Sequence, residues 1–362
     1  MKVVFRVDSS TLIGMGHLTR SLVLANLLRL QGAACHFICR AHEGHQAELP
    51  RSQGFEVSLL PVTSPSTIFS PADYTSWLGA SVQADVQQTI NAICVAGSAT
   101  RDWLVVDHYG ADVHWQRALH PHCRHLMVVD DLTMRMHDCS LLLNQSLGDE
   151  RAGQALDPGA RVARLLLGPK FALLRPEFEQ AWRGQHVRNG PVRRILIAFG
   201  GSDAGELSIL AANACAQVWP QSQLDIVISA ASQHFPAVQK FAEQNVSAHV
   251  HSATPTIDAL MASADFSVGA AGMMTWERCA TGLPAALVVL TENQQPIAEF
   301  ACRMSAAVNL GMATGVSSQA MVSAFLDIKR NESRLQTMSL AALKIVDGLG
   351  ARRVVSAMEE FK

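Results

Sequence analysis

Residues 3–20 read Val3-Val4-Phe5-Arg6-Val7-Asp8-Ser9-Ser10-Thr11-Leu12-Ile13-Gly14-Met15-Gly16-His17-Leu18-Thr19-Arg20. The apolar start predicts a strand, and the apolar spacing that begins at Leu18 has the period of a helix. Two glycines and a histidine therefore lie in a strand-to-helix turn at the edge of an open sheet, where α/β proteins bind ligands. The first turn of a helix favours a neutral imidazole, which can serve as a general base. The same residues also fit a tight turn with a capping histidine.

The composition predicts a globular protein with two domains. The chain has 362 residues, of which 49% are hydrophobic and 17% are charged, and its net charge is −2. This length is large for a single core, and this composition is typical of folded proteins. Because no long basic block is present, we do not expect a nucleic-acid partner. No apolar run approaches the roughly 18–20 residues of a membrane span, and the absence of coiled-coil heptads favours a monomer.

Metal and redox motifs are not evident. The eight cysteines form no Cys-x-x-Cys pair, which argues against a zinc site and a thioredoxin-like motif. The doublet Asp130-Asp131 leaves a metal possible, although such a doublet more often forms a turn and a helix cap. No signal-peptide pattern precedes the first strand. We therefore expect a reduced, cytoplasmic protein that needs no metal and no cofactor.

Buried strands alternate with helical stretches in both halves of the chain, which predicts parallel sheets. Strands are expected near 34–39, 53–61, 103–107, 126–129 and 141–144, and again near 194–199, 224–228, 249–251, 264–268 and 284–290. A helix is expected over 77–95, a linker over 183–191 and a helical end over 335–361. These patterns predict an α/β protein with two Rossmann-like domains whose parallel sheets face each other across a cleft. The predicted domains are 1–168, 169–345 and a C-terminal helix, 346–362, that packs back on the first domain.

Two glycine-containing loops of the second half point to a phosphate ligand. Gly200-Gly201-Ser202-Asp203 and Gly269-Ala270-Ala271-Gly272 each lie between a strand and a helix. Small residues there let backbone N–H groups approach a pyrophosphate. Glu277, in the following helix, could accept hydrogen bonds from ribose hydroxyls. A Walker A lysine is absent, so hydrolysis of a nucleoside triphosphate is not expected. Ordinary turns and a surface glutamate are the alternative.

Polar residues of the first half converge with His17 if the sheet is parallel. Asp8 ends one strand, and Asp107-His108-Tyr109 ends another. The carboxyl ends of parallel strands meet at the same edge, so a carboxylate could orient the histidine ring or a water molecule. A capped turn is the alternative for Asp107.

Four motifs in order resemble a known family. They are Phe5-Arg6-Val7-Asp8-Ser9-Ser10-x-x-Ile13-Gly14-x-Gly16-His17-x-x-Arg20, Val106-Asp107-His108-Tyr109, Leu173-Leu174-Arg175-Pro176-Glu177-Phe178 and Gly200-Gly201-Ser202-Asp203. In this combination the chain resembles the nucleotide-sugar hydrolases of pseudaminic acid biosynthesis, which remove UDP from 2,4-diacetamido-2,4,6-trideoxy-β-L-altropyranose. The family is similar in fold to the GT-B glycosyltransferases, which implies a GT-B-like fold here. It also implies a role in flagellin or surface-polysaccharide glycosylation.

The resemblance implies roles for individual residues. His17 matches the histidine that activates the attacking water, Tyr109 and Asn293 match polar residues near the sugar, and Glu277 with the Gly272 loop matches the uridine nucleotide site. The full candidate set on the sugar side is Asp8, Gly14, Gly16, Arg20, Asp107, His108, Tyr109, Asn293 and Gln294. On the nucleotide side it is Arg175, Gly200, Gly201, Ser202, Asp203, Ala271, Gly272, Met273, Met274, Thr275 and Glu277. Ala270-Ala271 departs from the more polar loop residue that we would expect.

The expected reaction is hydrolysis of a UDP-sugar to the free sugar and UDP with inversion at C1. UDP is a good leaving group, so one base and a set of N–H donors suffice without the two carboxylates of ordinary glycosidases. Three alternatives remain at this stage: a GT-B glycosyltransferase that uses a UDP-N-acetyl sugar, an NADP-dependent dehydrogenase, and a non-catalytic nucleotide-sugar binding protein. The dehydrogenase fits poorly, because the Gly14-x-Gly16 turn lacks the third glycine of that fingerprint.

Overall fold

The computed structural model describes residues 1–63, 73–95, 101–132, 134–146, 159–200, 206–252, 256–331 and 333–361. The chain divides into two compact units. The first unit comprises Met1–Leu173 together with Gly350–Lys362, and the second comprises Leu174–Leu349. Each unit contains one parallel sheet. The predicted site residues Gly201, Ser202 and Asp203 lie outside the described residues. So do residues 64–72 of the segment 62–74, whose Ser, Thr and Pro residues predict a loop or flap.

The first unit is an alternating α/β structure. Its elements before the second unit are β1 (Lys2–Val7), α1 (Gly16–Leu30), β2 (Ala34–Arg40), α2 (Glu48–Ser52), β3 (Glu56–Leu60), a 3₁₀ helix (Tyr74–Leu78), α3 (Val82–Val95), β4 (Arg101–Asp107), α4 (Val113–Leu119), a 3₁₀ turn (His120–His122), β5 (Cys123–Val129), β6 (Asp138–Asn144), β7 (Arg161–Leu167) and a 3₁₀ turn (Pro169–Phe171).

The order of strands in the first sheet places β1 and β4 at the topological switch point. Within the described residues the order is β3-β2-β1-β4-β5-β6-β7, and every neighbouring pair is parallel. Val7 at the end of β1 pairs in register with Asp107 at the end of β4. The loops that follow these two strands therefore diverge from one edge of the sheet, which is the ligand-binding position of open α/β sheets.

The second unit repeats this architecture. Its elements are α5 (Pro176–Arg183), β8 (Arg194–Ala198), α6 (Leu207–Val218), β9 (Gln223–Val227), α7 (Phe235–Gln244), β10 (Ala248–His251), α8 (Ile257–Ser263), β11 (Phe266–Ala270), α9 (Met274–Ala280), β12 (Ala285–Val289), a 3₁₀ turn (Glu292–Gln294), α10 (Gln295–Arg303), β13 (Ala307–Met312), a 3₁₀ turn (Ala313–Gly315), α11 (Ser318–Arg330) and α12 (Arg334–Ile345). The parallel order β10-β9-β8-β11-β12-β13 places its switch point between β8 and β11.

The last helix, α13 (Gly350–Glu359), belongs to the first unit. It packs on α1, and its residues Val354 and Met358 are fully buried in the same core as Phe5 and Leu24. Gly350 is required for this packing, because a Cβ at that position would lie 2.2 Å from the carbonyl oxygen of Ala172. The chain therefore returns to complete the core of the unit in which it began.

Two predicted elements are placed differently by the structure. The helix expected over 77–95 begins only at Val82, after the separate 3₁₀ helix Tyr74–Leu78. Gly79 ends that 3₁₀ helix with a φ of +60°, which interrupts the helical path.

The segment 183–191 is not a linker between the units, because it lies within the second one. Arg188 in this segment is buried and donates hydrogen bonds to the carbonyl oxygens of Met261, Ala262 and Ala264 and to that of Thr281. These carbonyls end α8 and α9, and a cation is favourable at a helix C-terminus. Burial lowers the pKa of Arg188 to about 10. Polar composition alone did not reveal that the segment is docked.

The strands that the sequence pattern missed are edge strands. β7 and β13 lie at the outer edges of their sheets and carry exposed or half-buried residues, such as Arg161 and Asn309, among their apolar ones. Strands buried on both faces give stronger apolar runs. Among the residues that the structure describes, every helix is too short or too polar to span a bilayer.

Candidate active site

The turn after β1 is shaped by Ser10 and Gly14. The Ser10 hydroxyl accepts a hydrogen bond from the backbone N–H of Ile13 at 2.9 Å, and the Ser10 carbonyl accepts one from Gly14 at 2.9 Å. Gly14 has a φ of +78°, a conformation that favours glycine. Helix α1 begins at Gly16, so His17 lies in its first turn. Among the described residues other than the immediate chain neighbours, no atom lies within 4 Å of a Cβ built on Gly14 or on Gly16, which leaves space beside the histidine.

Asp107 fixes the orientation of the His17 ring. Its Oδ1 lies 2.6 Å from His17 Nδ1. A carboxylate only accepts hydrogen bonds, so Nδ1 carries the proton and Nε2 is the unprotonated nitrogen of the neutral ring. The His17 side chain is 11% exposed, and no group of the described residues forms a hydrogen bond with Nε2. Nε2 is therefore available to accept a proton.

Arg20, one turn further along α1, holds Asp107 in place. Its Nε and Nη2 donate to the two carboxylate oxygens of Asp107, each at 2.6 Å, and its Nη1 donates to Asp131. Burial alone would raise the pKa of Asp107, but Arg20 and then His17 outweigh it and hold that pKa well below its ordinary value. Asp107 is therefore charged throughout the neutral range. The spacing of His17 and Arg20 places both side chains on the same face of α1.

The aspartate doublet at the end of β5 is engaged by cations and backbone groups. Asp131 also accepts a hydrogen bond from the Tyr109 hydroxyl at 3.3 Å, and Asp130 accepts one from Arg135 at 2.7 Å and one from the Leu132 N–H at 2.8 Å. In the described part of the chain, no cluster of histidine, cysteine, aspartate and glutamate is arranged to hold a metal ion. The doublet thus acts here as an anchor for Arg20, Tyr109 and Arg135.

Asp8 belongs to a neighbouring buried network instead of the His17 cluster. Its Oδ1 accepts hydrogen bonds from Arg6 Nη1 at 2.6 Å and from the Arg40 N–H at 2.7 Å. Arg6 and Arg40 also donate to Asp85 of α3, each at 2.6 Å. Burial would raise the pKa of Asp8, but Arg6 and then His108 and His42 keep it well below its ordinary value. Of the two strand-end aspartates, only Asp107 bonds the histidine, and the fully buried Asp8 braces β1, β2 and α3.

His108 is also a buried brace. Its Nδ1 accepts a hydrogen bond from the Gly110 N–H at 3.0 Å, so its Nε2 carries the proton and faces Asp8 Oδ2 at 3.3 Å. Burial lowers the pKa of His108, although the nearby Asp8 opposes the shift. The structure therefore presents His17, and not His108, as the accessible histidine of this sheet edge.

An aromatic cluster borders His17, and sequence reasoning missed half of it. The rings of His17 and Tyr109 meet edge to face with centroids 4.7 Å apart. Tyr74 packs 5.1 Å from Tyr109, and Trp77 lies 5.8 Å from Tyr109 and 6.4 Å from His17. The chain has only two tyrosines, and both meet in this cluster. The sequence pattern predicts a loop that ends at Tyr74 and a helix that begins at Trp77, so it separates two rings that the structure brings together.

The glycine loop after β11 offers backbone donors. The Ala271 N–H is occupied by the Val288 carbonyl at 2.9 Å, so this predicted ligand residue has no free backbone donor. Among the described residues, no group accepts from the N–H groups of Gly272, Met273 and Met274, which begin the first turn of α9. Thr275 is 2% exposed, and its hydroxyl has no hydrogen-bond partner among the described residues.

Gly269 and Arg278 brace this loop from below. A Cβ at Gly269 would lie 2.1 Å from the Ala198 carbonyl oxygen and 2.2 Å from Arg278 Nη2. Arg278 is buried and donates to Ser267 Oγ at 3.0 Å and to the carbonyls of Ala270 and Ala198, each at 3.1 Å. The ends of β8 and β11 are thereby tied together. Gly200 follows β8 with a φ of +93°.

Glu277 presents an available carboxylate at the same end of the second sheet. It is partly buried, and burial raises its pKa to about 6, against the attraction of Arg175. No described residue donates a hydrogen bond to its side chain. Arg175 itself pairs with Asp258 at 3.1 Å. Glu277 therefore has acceptor capacity that the described residues do not use.

Asn293 and Gln294 lie in the 3₁₀ turn after β12. The Gln294 amide nitrogen is 3.7 Å from the position of a Cβ on Gly272, and its Oε1 accepts a hydrogen bond from the Leu290 N–H at 3.0 Å. Asn293 Oδ1 accepts a hydrogen bond from the Thr291 hydroxyl at 2.5 Å. The structure thus brings Gln294 beside the Gly272 loop.

Comparisons with known proteins agree with this fold. No protein-family profile matches the chain. It is 26% identical over 222 residues to the spore coat polysaccharide biosynthesis protein SpsG of Bacillus subtilis, which covers 61% of the chain and 64% of that protein. It is also 26% identical over 245 residues to UDP-2,4-diacetamido-2,4,6-trideoxy-beta-L-altropyranose hydrolase of Campylobacter jejuni, which covers 67% of the chain and 75% of the relative. The resemblance predicted from the motifs is confirmed as this distant relationship. The match to SpsG spans 64% of that protein, which is somewhat less than two thirds of its length.

A solved structure confirms the fold class. MurG of Acinetobacter baumannii superposes with a TM-score of 0.68 and 14% identity, with 99% of each chain covered. The protein therefore has two parallel-sheet α/β domains of the GT-B type, as the sequence predicted.

Proposed function

We propose that this chain is a nucleotide-sugar hydrolase that releases UDP from a UDP-linked 2,4-diacetamido-2,4,6-trideoxy sugar. The observation that carries the proposal is the His17–Asp107 pair, with Nδ1 bonded to the carboxylate at 2.6 Å and Nε2 without a partner among the described residues. The name of the Campylobacter jejuni relative supports the substrate class. Cytoplasmic location and a monomeric state accompany the proposal.

The first unit supplies the base in this mechanism. His17 Nε2 accepts a proton from a water molecule as the water oxygen forms a bond to C1 of the sugar. Asp107 stabilises the imidazolium that results, and Arg20 keeps Asp107 oriented. The bond between C1 and the diphosphate oxygen breaks as the new bond forms, so the anomeric centre inverts and the electron pair leaves with UDP.

The second unit supplies the nucleotide site. The N–H groups of Gly272, Met273 and Met274 donate to the diphosphate oxygens, where negative charge increases as the bond breaks. Glu277 accepts hydrogen bonds from the ribose hydroxyls. Because UDP leaves as a stable anion, a second carboxylate that protonates the leaving group is unnecessary.

Incubation with the sugar nucleotide alone tests the proposal. We expect UDP release without any acceptor and, by NMR, a free sugar of inverted anomeric configuration. UDP that is released only after an acceptor is added would instead identify a glycosyltransferase. UDP affinity without any turnover would identify a binding protein.

Substitution of His17 tests the proposed base. His17→Asn should lower kcat by at least about 10²–10⁴-fold, the usual contribution of a general base, and should leave UDP affinity in calorimetry nearly unchanged. A variant that retains half of the wild-type rate would show that His17 only caps its helix.

A further inference from the structure

The 3₁₀ helix Tyr74–Leu78 is held in place at both ends. At its start, Asp73 Oδ1 accepts hydrogen bonds from the Thr75 N–H at 3.1 Å and from the Thr75 hydroxyl at 2.6 Å. At its end, Gly79 adopts a φ of +60°, and a Cβ there would lie 2.6 Å from His42 Cε1. A side chain at this position would collide with His42, so the end of the segment requires glycine.

This path presents two aromatic rings beside the proposed base. Tyr74 and Trp77 pack against each other with centroids 5.1 Å apart. The ring centroids of Trp77 and His17 lie 6.4 Å apart, with the two planes nearly perpendicular. Tyr109, which contacts both rings, is 6% exposed, whereas Tyr74 and Trp77 are half-buried. A sugar whose C1 is within reach of His17 Nε2 lies next to these rings.

We propose that Tyr74 and Trp77 form an aromatic wall that selects a deoxy, acetamido-substituted sugar. This inference rests on the proposed function, and it assigns substrate selection to a segment outside the His17 motif. Aromatic faces bind C–H-rich surfaces and are poor partners for extra hydroxyl groups. A 2,4-diacetamido-2,4,6-trideoxy sugar offers two acetamido methyl groups and a 6-methyl group. UDP-N-acetylglucosamine carries hydroxyl groups at positions 4 and 6 instead.

The two donors give different expectations for Trp77→Ala. For the diacetamido-trideoxy donor, we expect kcat/KM to fall about 10–200-fold, mainly through KM, as for the loss of an apolar pocket contact. For UDP-N-acetylglucosamine, the fall should be about threefold or less, because less apolar surface is lost. The inhibition constant of UDP should not change, since the wall contacts only the sugar.

Conservative and control variants separate selection from folding. Trp77→Phe should retain most of the wild-type ratio of the two kcat/KM values. Tyr74→Leu should reduce that ratio, as Trp77→Ala does. Trp182→Ala is the matched control, because Trp182 is also half-buried but lies in the second unit, where its Nε1 bonds the Leu343 carbonyl at 2.9 Å. This control should leave the ratio of the two kcat/KM values unchanged.

The outcomes also separate this inference from the proposed function. Equal losses for both donors, or a changed UDP inhibition constant, would overturn the aromatic wall while hydrolysis stands. If the wild-type protein releases UDP from neither donor, the proposed function fails. Binding titrations with the intact sugar nucleotides then test the aromatic wall. Trp77→Ala should weaken binding of the diacetamido-trideoxy sugar nucleotide relative to binding of UDP. An unchanged ratio of these two dissociation constants would overturn the aromatic wall.

Discussion

At the residue scale, the site depends on which nitrogen of His17 the protein engages. Asp107 bonds Nδ1, and Arg20 in turn bonds both oxygens of Asp107. The carboxylate thus accepts hydrogen bonds from both the His17 ring and the Arg20 guanidinium without direct exposure to solvent. A buried charge of this kind is retained only when it is paired and hydrogen-bonded. The pairing makes the histidine a preorganised acceptor, which is the property that the proposed hydrolysis needs.

We predict that the charged form of Glu277 favours nucleotide binding but lowers the stability of the folded protein. Its pKa in the folded protein is about 6, above its ordinary value, because burial disfavours the charged form. Between the ordinary pKa of 4.5 and the folded-state pKa of about 6, Glu277 is protonated in the folded protein but ionised in the unfolded chain. The free energy of unfolding of the wild type therefore falls as pH rises through this range. Above about pH 6 the carboxylate is charged, at a cost in stability that a bound ribose would offset.

Glu277→Gln should reveal both sides of this conflict. We expect the Tm of the variant to exceed that of the wild type at pH 7, and the difference to shrink as pH is lowered from 6 to 5. UDP affinity should fall about 10-fold or more, because hydrogen bonds to a charged acceptor are lost. Calorimetry and thermal unfolding measure the two effects. A variant with the UDP affinity of the wild type would remove Glu277 from the nucleotide site.

Removal of metal tests the chemistry assigned to His17. The strand-end aspartates Asp107, Asp130 and Asp131 are each paired with an arginine, so the proposed mechanism uses no metal ion. We expect the rate of UDP release to survive dialysis against EDTA. A rate that collapses with the chelator and recovers with a divalent cation would contradict this mechanism.

At the element scale, the two glycines of the β1–α1 turn differ in what requires them. Gly14 needs its positive φ, whereas Gly16 begins α1 and has no such requirement. In the part of the chain that the structure describes, no atom crowds either position. Gly14 therefore serves the backbone conformation of the turn, whereas Gly16 leaves space in which a ligand can bind.

Gly14→Ala and Gly16→Ala should have opposite signatures. Gly14→Ala should lower the free energy of unfolding by about 1 kcal/mol, because alanine is strained at positive φ. Gly16→Ala should leave the free energy of unfolding unchanged or slightly higher, because alanine favours a helix. If the sugar approaches this turn, Gly16→Ala raises KM. Denaturant titration and steady-state kinetics distinguish the two, and an unaltered KM in Gly16→Ala would place the sugar elsewhere.

The brace between β1, β2 and α3 explains why Asp8, which follows β1, bonds arginines and not His17. Arg6, Asp8, Arg40 and Asp85 are all fully buried and pair with one another. Breaking one member of such a network leaves an uncompensated buried charge, which costs several kcal/mol, about 3–5. Position at the end of a strand therefore indicates proximity to the site, while the pairing decides whether a side chain reaches it.

At the scale of the whole molecule, the first unit is closed by the end of the chain. Helix α13 supplies Val354, Val355 and Met358, which are 0–1% exposed, to the core beneath α1. The N-terminal part of this unit therefore depends on residues more than three hundred positions away in the sequence. This dependence makes the last helix a structural part of the unit that carries His17.

Met358→Ala should show this dependence. We expect it to lower the free energy of unfolding by about 2–5 kcal/mol, the usual cost of a truncated core methionine. Glu359→Ala, at the neighbouring exposed position, should change it by about 0.5 kcal/mol or less. Denaturant unfolding measures both. Equal small effects would show that α13 contributes little to the core.

The sequence by itself determined most of the strand-and-helix order and the place of His17, because these depend on local periodicity and on short motifs. The GT-B class followed from the family that those motifs resemble. Val3–Phe5 and the run after Leu18 show their periods without reference to the rest of the chain. The C-terminal helix was also visible in this way. Such patterns arise because apolar residues recur on the face of each helix or strand that packs against the core, so one sequence is enough to show them.

Only the tertiary structure decided which polar residues share a cluster. Asp8 and Asp107 look equivalent in sequence, yet one braces arginines and the other orients His17. Trp77 looked like the start of a helix, yet Gly79 turns its segment toward His17. These outcomes depend on contacts between residues 32 to 90 positions apart, such as Asp8 with Arg40 and His17 with Asp107, which local periodicity does not encode. The physical reason is that a buried charge or ring takes its role from its partners, and the folded chain supplies those partners.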